Sequence, residues 1–193
     1  MSDRTARSAA TRRHFVDAAL RVFREEGYAQ TSMAQIAQAA GGSRANLYLY
    51  FNSKPQLVLT RMRELEPEVA ELYSALDALP DHGPAAVRGW VDRARGMWRR
   101  YGAEFEAISQ AMSVEPDVLE EWMGLLRRLC RAQVALYRDC ACEEERLDRE
   151  AHMLTLMLSL EHTFYVLYVR KGVAEEERIL SALAAQWARL FGR

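Results

Sequence analysis

The chain has 193 residues, 50% of them hydrophobic and 27% charged, with a net charge of −1; that balance excludes a disordered tail and suits one soluble domain or two small ones. The charge is uneven. Residues 1–54 hold eight basic and four acidic side chains, a net of +4, which leaves −5 for the rest, and a basic head on an acidic body points to a polyanion partner at the N-terminal end. Five prolines and ten glycines leave long stretches rich in Ala, Leu, Arg, Glu and Met, which favour an almost wholly helical fold without strands. Cys130, Cys140 and Cys142 form no disulfide framework, and the basic N-terminus leads into no apolar leader and cleavage site, so a cytoplasmic protein is expected. The most membrane-like stretch, residues 151–169, is interrupted by His152, Glu161 and His162, which argues for a helix buried among other helices rather than a span.

In chain order, Phe15, Ala18, Ala19, Val22 and Phe23 recur at helical spacing from Thr11 to Glu26, and Gly27 ends that first helix. Ser32 stands three residues before Gln35, a capping box that starts a short helix running through Ala40. Gly41-Gly42 breaks it, Ser43 caps the next start, and Arg44 to Phe51 reads as a third short helix. A longer helix spans about 55–79, bent or broken by Pro67, and Pro80-Asp81-His82-Gly83-Pro84 is a loop. Further helices are expected at about 85–101, 103–113, 116–141, 147–170 and 174–191, giving about nine in an all-α chain.

Two short helices joined by a glycine turn let the second lie in a major groove while the first braces it across the backbone. Between Gly27 and Ser53 the single charged residue is Arg44, so contacts there would come from hydroxyls, amides and helix N-terminal N–H groups. Thr31, Ser32, Ser43, Tyr48, Tyr50 and Lys54 are candidate phosphate contacts. Arg44, Ala45 and Asn46 are candidate base-edge readers: Arg pairs with guanine, Asn with adenine, and the Ala methyl meets thymine. Arg4, Arg7, Arg12 and Arg13 form either an arm on phosphates and the minor groove or a solvated tail.

Phe15, Ala18-Ala19, Phe23, Gly27-Tyr28, Thr31-Ser32-Met33, Ile36-Ala37, Ala40-Gly41, Ser43, Leu47-Tyr48-Leu49-Tyr50-Phe51 and Ser53-Lys54 form a pattern over about forty residues that resembles the TetR family of transcriptional regulators. It implies a reading head at 1–54, a ligand-binding and dimerisation domain at 55–193, and a homodimer on a palindromic DNA operator. Gly42 departs from the pattern by standing where the family usually has a buried Val, and Ala45-Asn46 replaces a common Gly-Thr or Gly-Ala.

Residues 147–191 carry more apolar surface than one water-facing helix pair can expose; the resemblance places the dimer interface there, as a four-helix bundle with the two-fold mate. Met97, Trp98, Tyr101, Phe105, Trp122, Leu126, Met157, Glu161, Tyr165 and Trp187 are the candidate pocket, either plain core or the lining for a small hydrophobic ligand. The pattern around Glu161 resembles the EthR-like subgroup, whose pocket is a narrow apolar channel, although Met157 and Leu160 replace its asparagines. Glu161 either binds a ligand donor or pairs with an arginine. No cofactor or metal site is expected, since Cys140 and Cys142 lack zinc spacing, and no nucleotide-binding or hydrolase motif points to an enzyme. The readings carried forward are a ligand-released repressor, a DNA-binding regulator of the same fold without small-molecule input, and, remotely, a helical enzyme or scaffold that borrows the head.

Overall fold

The structure is a computed structural model that describes residues 3–172 and 175–191. Among these residues it is all-helical, with ten α-helices and one π-helical turn and no strand. The order is α1 (Asp3–Glu26), α2 (Met33–Ala39), α3 (Arg44–Tyr48), α4 (Lys54–Asp77), α5 (Pro84–Arg100) and α6 (Gly102–Met112). Then follow α7 (Pro116–Arg131), α8 (Val134–Tyr137), α9 (Glu143–Phe164), the π-helical turn Tyr165–Val169 and α10 (Glu176–Phe191). They form two compact units, Met1–Leu65 with Ala103–Trp122, and Glu66–Gly102 with Met123–Arg193, so the divisions fall inside α4, after the first residue of α6, and inside α7.

In the first unit the stripe of Phe15, Ala18, Ala19, Val22 and Phe23 is buried as its spacing predicts, together with Val16. Ile36 and Ala37 of α2 and Leu47 of α3 complete the small core. The turn between α2 and α3 follows from one backbone angle. Gly41 holds φ +64, its N–H donates to Gln38 O, and Gly42 N–H donates to Ala37 O at 2.9 Å, which together close α2 by a Schellman motif. Such a motif normally packs an apolar residue at the second position against the helix. A β-carbon on Gly42 would meet the Phe15 ring at 3.6 Å, ordinary contact, so the glycine leaves that contact unmade.

In the second unit α5 packs most extensively on α10. The Trp90 and Trp187 rings lie 4.8 Å apart, with Tyr73 beside both. Arg88 and Arg95 reach Glu177 at 2.7 and 2.9 Å, and Arg99 reaches Glu176 at 3.0 Å, tying α5 to the first turn of α10. No helix among the described residues is long and apolar enough to cross a membrane.

Five expectations need correction. The first helix begins at Asp3 rather than Thr11, so Arg7, Arg12 and Arg13 stand on a helix, not on an arm or tail, while the side chain of Arg4 lies outside the described residues. The third ends at Tyr48 rather than Phe51, where the Leu49 and Tyr50 N–H groups bond only three residues back, to Asn46 O and Leu47 O. Pro67 does not break α4, which is continuous from Lys54 to Asp77. The helix expected at 116–141 is two helices: the Asp77 carboxylate accepts the Ala135 N–H at 2.7 Å and supplies an anion to the start of α8. The helix expected over 147–170 starts at Glu143 and widens into the π-helical turn after Phe164. The expected start of the last helix, at 174, lies outside the described residues.

The two glycines of the turn should respond oppositely to alanine. Gly42→Ala is expected to raise unfolding free energy by about 0.4–1 kcal/mol, through lost unfolded-state entropy and contact with Phe15. Gly41→Ala is expected to lower it by about 1–2 kcal/mol through left-handed strain alone, since nothing lies within 4 Å of the new methyl. Urea melts of the two variants check the sign of each.

Candidate nucleic-acid interface

α3 has five residues and one buried side chain, Leu47, too short to persist alone. Ser43 fixes its start, its hydroxyl accepting the Asn46 N–H at 3.1 Å. This leaves Arg44, Ala45 and Asn46 exposed on the first turn, with Tyr48 at 41% and Leu49 at 80% exposure. Ser32 is exposed and caps α2 through the expected capping box with Gln35. Ser32, Ser43, Arg44, Ala45, Asn46 and Tyr48 are thus all exposed in the short-helix segment.

The other three candidate contacts are engaged within the chain. Thr31 is 3% exposed, and its hydroxyl donates to Gly27 O at 2.8 Å, so it acts by closing the loop after α1. Tyr50 is half-buried, its ring 5.8 Å from Phe15, and its carbonyl accepts from Arg12. Lys54 Nζ donates to Tyr28 O at 2.8 Å and lies 4.5 Å from the Tyr28 ring centre; burial lowers its pKa, which the Glu115 charge opposes.

Tyr28 is the hub that sequence reasoning missed. Its N–H donates to Gln110 Oε1 at 2.8 Å and its hydroxyl to Glu115 Oε1 at 2.9 Å, so the loop after α1 is bonded to α6 and to the residue before α7. Arg61 of α4 adds a bond to Glu104 of α6 at 2.8 Å. Tyr28 stands in the family-like Gly-Tyr pair, but its partners lie 82 and 87 residues away, beyond any local pattern.

The candidate pocket residues fall in both units: Phe105 and Trp122 in the first, the other eight in the second. Trp98, Leu126, Met157 and Trp187 are buried, and Glu161 and Tyr165 are half-buried. The Trp90 indole N–H donates to Leu72 O at 2.9 Å, whereas the equally buried Trp187 N–H has no hydrogen-bond partner. Met97 and Tyr101 line an open cleft of about 360 Å³ with Leu72 and Gly96. The cleft is more polar than expected, because Glu68, Glu71, Arg93 and Arg100 also line it and Glu68 accepts the Tyr101 hydroxyl. Cys130 is buried and its thiol pKa is raised by that burial, the opposite of a reactive thiol.

A glycine turn, a capped outward-facing second helix and an all-helical body define a helix-turn-helix protein. Residues 15–60 match the family described as bacterial regulatory proteins, tetR family, so the likeness to that family lies in the segment that holds the helix-turn-helix. It is 26% identical over 119 residues, 61% of this chain, to the HTH-type transcriptional regulator EthR of Mycolicibacterium smegmatis, and covers 55% of that protein. It is 30% identical over 122 residues, 63% of this chain, to the regulator BetI of Rhizobium meliloti, and covers 53% of it. The aligned region thus spans about half the length of these curated relatives. A putative TetR-family regulator from Syntrophomonas wolfei superposes with a TM-score of 0.71 at 13% identity, over 94% of this chain and 96% of that one. One from Mesorhizobium loti gives 0.67 at 18% identity, over 96% of each chain. The fold of the whole chain is the one these structures share.

The Tyr28 hydroxyl carries a testable signature. Burial, then the bond to Glu115, raises its pKa above the ordinary 10.0. The neutral phenol is favoured by folding, so its contribution is full below about pH 10 and is lost as pH rises toward the folded-state value. Tyr28→Phe should cost about 1–3 kcal/mol at neutral pH. It should also show a shallower loss of stability between about pH 9 and 11 than the parent, read by denaturant melts across that range.

Proposed function

We propose that this protein is a ligand-responsive transcriptional repressor that binds a palindromic DNA operator as a homodimer. A small hydrophobic molecule held in the C-terminal part releases it. The observation that carries the reading is the exposed first turn of α3, where Arg44, Ala45 and Asn46 stand on a helix fixed by the Ser43 cap, in a domain that matches the TetR family. In this reading residues 1–54 are the reading head, and Ser32, Ser43 and Tyr48 hold phosphates while Arg44, Ala45 and Asn46 meet base edges. Thr31, Tyr50 and Lys54 support them from within.

Residues 55–193 receive the ligand and form the dimer. The dimer reading is supported by α9, where Leu147, Ala151, Leu154 and Leu158 recur on one face and Leu147 and Leu158 are 52% and 43% exposed. Pairing of 147–191 with a second copy would cover this stripe. The ligand reading is supported by the buried, unpartnered Trp187 N–H, a donor waiting for an acceptor among aromatic walls. The 26% identity to EthR is in keeping with an EthR-like apolar pocket. Ligand occupancy acts on the head through α4 and α7, which run through both units, and shifts the dimer between states in which the two heads do or do not fit successive major grooves, about 34 Å apart. The full packing of Met157 and Trp187 favours the second reading, a regulator of the same fold without small-molecule input.

Sequencing the DNA that copurifies with the full chain tests the main reading: a two-fold symmetric site is expected, and fragments without a shared sequence would defeat it. On that site Tyr48→Ala should weaken binding by about tenfold with helicity and dimer unchanged. Small apolar molecules that raise the melting temperature should release the DNA, and Trp98→Ala should alter that response more than DNA affinity. Stabilising molecules that leave DNA affinity untouched would favour the second reading.

A further inference from the structure

The helix-turn-helix segment is nearly uncharged, yet affinity for duplex DNA depends on neutralising phosphates. From Gly27 to Ser53 the only charged side chain is Arg44. The cations of the head stand mostly on α1, and the fold brings one group of them to the segment that leaves α3. Thr5, Ser8 and Arg12 recur on one face of α1, flanked by Arg7 and Thr11 on one side and Ala9 on the other. These six residues and Tyr50 line a cleft of about 680 Å³. Its walls are fixed: the Arg12 guanidinium donates to Tyr50 O at 3.2 Å and lies 4.5 Å from the Phe51 ring centre. The lining holds two guanidinium groups, a tyrosine and three aliphatic hydroxyls, of which that of Thr11 donates to Arg7 O at 2.9 Å, and no carboxylate. That donor set suits a phosphodiester.

We propose that the first three turns of α1 form a second phosphate-binding surface, walled by Tyr50, which grips the sugar-phosphate backbone of duplex DNA beside the groove that α3 enters. The proposal rests on the DNA-reading function above. It assigns sequence-independent affinity to α1 and leaves discrimination to α3. Arg7 and the hydroxyl of Ser8 bind the phosphate, and Arg12 positions the cleft.

The test uses the full chain and a random-sequence DNA duplex, so no operator is needed. Arg7→Gln should reduce the slope of log affinity against log salt by about one per reading head. Ser8→Glu, which adds a carboxylate to the cleft, should weaken binding at low salt. Arg127→Gln, an exposed charge of the second unit, should change neither. Circular dichroism confirms that all three variants keep their helicity. A parent protein that binds the duplex with a steep salt dependence while Arg7→Gln and Ser8→Glu leave it unmoved overturns the proposal but not the function. A parent that binds no duplex at low salt defeats both.

Discussion

Because Gly41 can hold φ +64 where a side chain would be strained, α2 stops within one residue and the chain turns sharply enough for Ser43 to cap a new helix. All that lies beyond the turn depends on it. α3 has too few residues to be stable by its own hydrogen bonds, so its position is set by Ser43 in front, Leu47 beneath and the Tyr50–Phe15 contact behind. A helix held at its ends and by one buried residue keeps its remaining side chains in solvent. That geometry makes its first turn available to another molecule.

Charge and shape are separated within the head. The segment that presents α3 is almost neutral, so it can approach a base-pair edge closely without burying unpaired ions. The cations stand on α1, where Arg12 also fastens the helix to the backbone at Tyr50. Lys54 is turned inward to Tyr28. Tyr28 in turn bonds Gln110 within α6 and Glu115 just before α7, so the loop after α1 is held by polar contacts that a change in either helix would disturb.

The second unit is organised differently. An aromatic cluster of Tyr73, Trp90 and Trp187 fills its interior, while arginines of α5 and glutamates of α10 tie its surface. Such exposed pairs add little energy, and their geometry fixes register more than stability. The contrast between the satisfied Trp90 N–H and the unpartnered Trp187 N–H marks the one place in this cluster where packing is complete and polar chemistry is not.

The helical class, the apolar stripe, capping box and glycine turn of the N-terminal segment, and the exposure of Arg44, Ala45, Asn46 and Tyr48 were legible in the residues themselves, because these follow from periodicity and from caps within four residues. Features that depend on distant partners were not. Asp77 splits the expected helix at 116–141 by bonding to Ala135, Gln110 and Glu115 make Tyr28 a hub, and Thr31 and Lys54 turn inward although their residue types suit phosphate. The cleft beside α1 exists because Arg12 meets Tyr50 across 38 residues. A local pattern fixes which face of a helix is apolar; it carries no information about which polar group, far along the chain, will meet a side chain first.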